Sequence, residues 1–172
     1  MAATYIPIAS TTLSTSAASV TFSSIPQTYT DLVLKYSVRS DLGGAGNFGT
    51  DLKLTINSST ANQSGTILFG GSGTGSGTGS YRDTIIGGST GNDTTSNTFA
   101  WGELYLPNYA GSNNKPFSSE THRENNAANG AVKNIIANLW SQTAAITSLA
   151  ISGVSGNFVS GSSFHLYGIK NS

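Results

Sequence analysis

Cysteine is absent from all 172 residues, which excludes a disulfide framework and any thiolate metal site. The absence suits a protein assembled in a reducing cytoplasm, but it does not assign a compartment. Charge is scarce: eight lysine plus arginine residues balance eight aspartate plus glutamate, only 9% of the chain. A net charge of zero offers no long-range attraction to nucleic acid or to an anionic membrane, so neither partner is expected. No run approaches the roughly 20 apolar residues of a membrane helix. The opening MAATYIPIASTTLSTSAAS has neither a basic region nor a long apolar stretch, so no export signal is expected. Helix signals are also missing, since no capping box leads an amphipathic run.

Alternation with a period of two is abundant. In DLVLKYSVRS, Leu32, Leu34, Tyr36 and Val38 share one face and Lys35, Ser37 and Arg39 the other, the pattern of a half-buried antiparallel strand. DLKLTIN repeats it, with Leu52, Leu54 and Ile56 inward. SVTF contributes Val20 and Phe22. TYIPI contributes Ile6 and Ile8, and Pro7 places that strand at a sheet edge. Residues 65–69, 81–86, 97–106, 115–124, 145–152 and 162–169 supply further short runs. AVKNIIANLW (131–140) also has helical spacing at Val132, Ile135, Ile136 and Leu139, yet its β-branched residues favour a strand. Turn chemistry separates the runs. The expectation is all-β: a single antiparallel β-sandwich domain over 1–172, with residues 1–12 as an N-terminal arm or edge strand.

GGSGTGSGTGS (70–80) interrupts this pattern. It lacks the Gly-Lys-Ser/Thr ending of a phosphate loop, and no helix follows to supply a dipole. As a tether it would leave residues 1–69 with too few large apolar side chains for an independent core. We read it as a flexible loop joining two strands of one sandwich.

Chemistry-bearing residues are few. On a strand, Glu120, His122 and Glu124 of ETHRE would project from one face, a carboxylate–imidazole–carboxylate set that could take a metal; a solvated strand face explains the same spacing. Glu103 and Glu120 are the first candidates for a carboxylate pair of glycosidase type. His165 alternates with Phe164 and Leu166 and reads as a surface histidine. The sequence has no G-x-S-x-G elbow, zinc signature or calcium loop, so no enzyme activity, catalytic residue or cofactor is expected. Aromatic and aliphatic anchors favour contact surfaces; Tyr5, Ile6, Ile8, Trp101, Tyr109 and Trp140 are the interface candidates, with Tyr109 expected to be exposed in its loop.

Three stretches together resemble a family of tailed-bacteriophage virion structural proteins, frequent in phages of cyanobacteria and other aquatic hosts. They are TYIPIASTTLSTSAASVTFSSIPQTYTDLVLKYSVRSD, NTFAWGELYLPNYAGSNNKPFSSETHRENN and AITSLAISGVSGNFVSGSSFHLYGIKNS, with SGNFVSGSSFHLYGI the most specific. The resemblance implies a β-sandwich of jelly-roll type, association as a homotrimer and a place in the virion after synthesis in the host cytoplasm. Its implied role is a capsid decoration (cement) protein bound to the major capsid protein. The alternative is a tail-fibre or tail-tip module that binds a host glycan or receptor. No active-site residue is implied.

Overall fold

The computed structural model describes residues 5–43, 49–72, 75–81, 84–126 and 130–170. Among them there are twelve strands and no helix: β1 (Tyr5–Thr12), β2 (Ser19–Phe22), β3 (Asp31–Val38), β4 (Asp51–Ile56), β5 (Gln63–Gly71), β6 (Gly75–Tyr81), β7 (Ile85–Gly88), β8 (Ala100–Leu106), β9 (Lys115–Arg123), β10 (Val132–Trp140), β11 (Leu149–Gly153) and β12 (Ser163–Ile169). They form an eight-stranded sheet, β1-β12-β3-β8-β9-β10-β5-β6, and a four-stranded sheet, β2-β11-β4-β7. All strand pairs are antiparallel. The fold is all-β and sandwich-like.

The alternating rows meet between the sheets. Leu32, Leu34, Tyr36 and Val38 of β3 and Leu52, Leu54 and Ile56 of β4 are fully buried, joined by Phe164, Leu166, Leu104, Ile151 and Phe158. β10 resolves the ambiguity of AVKNIIANLW: as a strand it sends Ile136 inward and Ile135 outward. Ile136 joins Ile67 and Ile85 in a smaller cluster, with Phe69 packed against it.

The Gly/Ser/Thr run is not a loop over its whole length. Residues 75–81 form β6, in register with β5 from Gly71↔Gly75 to Gly65↔Tyr81. Its glycines face the same side as Ile67 and Phe69, while Ser76, Thr78 and Ser80 face the other. Glycine is depleted in strands because it packs poorly and loses much entropy, so the run reads as loop in isolation; here the β5 ladder supplies the hydrogen bonds. The expected strand over 81–86 also divides, Tyr81 ending β6 and Ile85 opening β7. Strands from before and after residue 70 share both sheets.

One device recurs in the packing. An aromatic ring lies across a glycine of the neighbouring strand. Tyr36 and Gly102 are direct partners of β3 and β8, and a methyl group on Gly102 would sit 2.4 Å from the ring. Phe69 and Gly77 are direct partners of β5 and β6, with the ring 3.1 Å from the same position on Gly77. Tyr29 covers Gly168 in the same manner, at 2.3 Å.

Asparagines carry several turns in the left-handed region, among them Asn57 at φ 50°, where asparagine is better tolerated than most residues. Its Oδ1 accepts the backbone N–H groups of Thr147 (2.8 Å) and Ser148 (3.1 Å), and its Nδ2 donates to Ala145 O (2.8 Å). The residue therefore ties the turn after β4 to the approach to β11. Asn57→Ala is expected to cost about 2 kcal/mol, from lost hydrogen bonds and left-handed strain, measured by urea unfolding. Asn57→Gly is expected to recover part of this, because it relieves the backbone term alone.

A candidate interaction face

The outward side of the eight-stranded sheet gathers most of the residues of interest. Cross-strand registers place Ser10, His165, Lys35, Glu103, Glu120, Ile135, Leu68 and Thr78 in one row. The next row contains Ser163, Ser37, Trp101, His122, Lys133 and Gly70. The middle of the first row is charged and its β10–β5 end is apolar. Leu68 and Ile135 are direct partners of β5 and β10, and they stay 54% and 45% exposed. Trp101, Tyr105 and Tyr5 are exposed on the same face.

Its charges are mutually satisfied. Lys35 Nζ lies 3.0 Å from Glu103 Oε2, and the hydrogen bond to this carboxylate raises the lysine above its ordinary range. Glu120 Oε2 lies 3.6 Å from His122 Nε2 and 3.9 Å from Lys133 Nζ. All are solvated pairs of small energetic value that fix side-chain positions more than they stabilise. The His122 ring packs on Trp101 with centroids 5.1 Å apart. Tyr105 donates its hydroxyl to Asp31 Oδ2 at 2.8 Å, which raises its phenol above the ordinary value.

The three ETHRE side chains Glu120, His122 and Glu124, for which no metal role is expected, do not stay on one strand face. Glu120 and His122 share the outward side of the large sheet, but Glu124 lies past the end of β9. Its Oε1 accepts the backbone N–H groups of Asn125 (3.0 Å) and Asn126 (2.8 Å), so it caps the following turn. Among the described residues, no three or more His, Asp and Glu side chains converge as a metal site. Glu103 and Glu120 are direct cross-strand partners on an open face, each engaged by a lysine.

The six interface candidates separate. Tyr5 and Trp101 are exposed. Ile6 and Ile8 are half-buried, Ile8 against the main core. Tyr109, expected in a loop at the surface, is fully buried and donates its hydroxyl to Pro26 O. Trp140 is also core, because strand alternation from Ile136 carries it inward. The buried Lys115 ammonium lies 6.0 Å from the Trp140 ring centroid; it donates to the carbonyls of Gly111 (2.7 Å) and Asn113, and burial lowers its pKa.

Residue type alone does not mark Leu68 and Ile135 as surface residues, yet a signal exists. ILF (67–69) and II (135–136) are consecutive apolar residues on strands, so alternation must expose one of each. At the same end of the sheet, an open, uncharged depression of about 820 Å³ is lined by hydroxyl and amide side chains, among them Asn62, Gln63, Thr66 and Asn138, together with the apolar Ala137 and Leu139. The chain matches no family model, and no curated protein matches it.

Proposed function

We propose that this chain is a structural protein of a tailed-bacteriophage virion that decorates the capsid, with the outward face of its large sheet docked on the major capsid protein. The observation that carries the reading is the exposed apolar pair Leu68 and Ile135, on a face that also presents Trp101 and Tyr105 among paired charges and hydroxyl side chains. Contiguous apolar surface rimmed by polar groups marks a contact surface. The sequence resemblance supplies the setting. Decoration stabilises a shell because the protein binds the assembled lattice better than its separate subunits. Many symmetry-related copies, each a homo-oligomer, add avidity. The role requires no cofactor and no catalysis.

Labelled protein added to undecorated heads is expected to bind and to raise the temperature at which the heads break. Leu68→Glu combined with Ile135→Glu is expected to weaken binding about a hundredfold. Because Ile135 directly opposes Glu120 and Leu68, the new carboxylates should also cost the isolated protein about 1–2 kcal/mol. Leu68→Thr with Ile135→Thr, which adds no charge, is therefore the companion variant and should weaken binding about tenfold. Failure of the unaltered protein to bind heads would remove the proposal.

The uncharged depression beside Gln63 and Asn138 favours a second reading, a tail-tip module contacting host glycans, whose hydroxyls suit amide and hydroxyl partners. That reading requires the purified protein to adhere to host cells and to compete with phage adsorption.

A further inference from the structure

The large sheet ends differently on its two sides. At one edge, β1 carries Pro7, which has no N–H to donate, and its register with β12 shifts between Pro7 and Ala9. A proline and a bulge are standard obstacles to the addition of another strand. At the other edge, β6 has neither. Gly75–Tyr81 contains no charged residue and no proline, its register with β5 is unbroken, and it is the outermost strand. An uncharged, regular edge is a template for strand addition.

We propose that β6 pairs with β6 of a second copy of this chain, antiparallel about a two-fold axis through Gly77, so that the two large sheets become one. The sequence of the strand is self-complementary in this register. Gly75 falls opposite Gly79 of the partner copy, Gly77 opposite Gly77, and Ser76 opposite Thr78. Small residues meet small residues on the inner side, and hydroxyls meet hydroxyls on the outer side, where such cross-strand pairs hydrogen-bond. No charge on either strand opposes the approach.

Phe69 is the second observation. Its ring reaches from β5 across Gly77 and remains only half-buried. Directly opposed residues of antiparallel strands lie about 4.5–5.5 Å apart at Cα. Two-fold pairing at Gly77 therefore points the far edges of the two Phe69 rings at each other across the glycine pair, from β5 strands about 14 Å apart. The glycine alternation that gives β6 no core side chains supplies the floor on which both rings lie. A larger residue at position 77 would lift Phe69 from the strand. The pairing also places the Leu68–Ile135 patches of both copies on one continuous surface. It does not depend on the capsid-docking role and is tested on the isolated protein.

Sedimentation of the unaltered protein is expected to show a monomer–dimer equilibrium. Ser76→Lys with Thr78→Lys sets like charges directly opposite one another twice, at exposed positions, and should weaken the dimer at least tenfold without changing the thermal midpoint by more than a few degrees. Because the chain has no cysteine, an equimolar mixture of Ser76→Cys and Thr78→Cys proteins reports the register. Mild oxidation should cross-link the mixture far more efficiently than either variant alone. A protein that remains monomeric at submillimolar concentration overturns the inference. A dimer or trimer that is indifferent to the double lysine variant, or whose mixed cysteine variants cross-link no better than each variant by itself, also overturns it.

Discussion

Tyr36→Ala is expected to destabilise the protein by about 4 kcal/mol, the range for removing a large buried aromatic side chain. The ring is fully enclosed in the core, rests on Gly102 and directs its hydroxyl toward Ile86 O at 3.3 Å. Gly102→Ala should cost about 2 kcal/mol by forcing ring and backbone apart. In the Tyr36→Ala background the same change should cost almost nothing, because the methyl group enters space that the ring has left. The resulting non-additivity is the measurement that identifies the contact, and additive losses would show that the two residues act separately. The phenol adds a pH dependence. Burial pushes Tyr36 up to about 12 from its ordinary 10.0, so the unfolded chain ionises first as pH rises. The contribution is complete below pH 10 and is lost as pH rises toward 12, up to about 2–3 kcal/mol in all. Tyr36→Phe should flatten that part of the alkaline unfolding curve.

Arg39→Met is the second large effect, at about 3 kcal/mol. Arg39 follows β3 and is buried. Nη1 donates to Thr94 Oγ1 (2.9 Å), Thr95 O (3.0 Å) and Thr98 O (3.0 Å), and Nη2 approaches Thr94 O at 3.4 Å. One guanidinium thus organises the turn before β8. Methionine fills much of the volume but leaves those acceptors without the donor. Arg39→Lys should recover at most half, because a single ammonium cannot reproduce the planar fork. Thermal unfolding should place the methionine variant about 6–12 °C lower, and an unchanged midpoint would exclude this role.

Arg39 also shows what alternation can and cannot reveal. Its parity puts it with Lys35 and Ser37 on the outward face, and burial alternates as that reading expects from Leu34 to Val38, while Asp31 and Val33 of the outward row are already covered. Burial at the strand end comes from the 94–98 segment folding over it, a long-range event that no local period records. The same limit applies to Tyr109: Pro107 and Asn108 indicate a turn, but not that the turn is packed against Pro26. The core rows of β3 and β4 are legible because side-chain period and burial coincide there. β6 is not, because glycine carries no hydrophobic signal and its ladder partner lies in β5. Of the interaction face, Trp101 and Tyr5 can be named from residue type. Leu68 and Ile135 require knowledge of which member of each apolar run points inward.

Placement of β1 at the rim of the large sheet has a temporal consequence. Its neighbour there is β12, with Tyr5 opposite Ile169, so the earliest strand in chain order waits for the latest before it can be seated. During synthesis, β1 lacks its sheet neighbour until every intervening strand and β12 have emerged. Late docking of this kind slows maturation and lengthens exposure of a nascent edge to neighbouring chains. Pro7 therefore matters most before the fold exists: it makes the waiting segment a poor template for capture by another polypeptide.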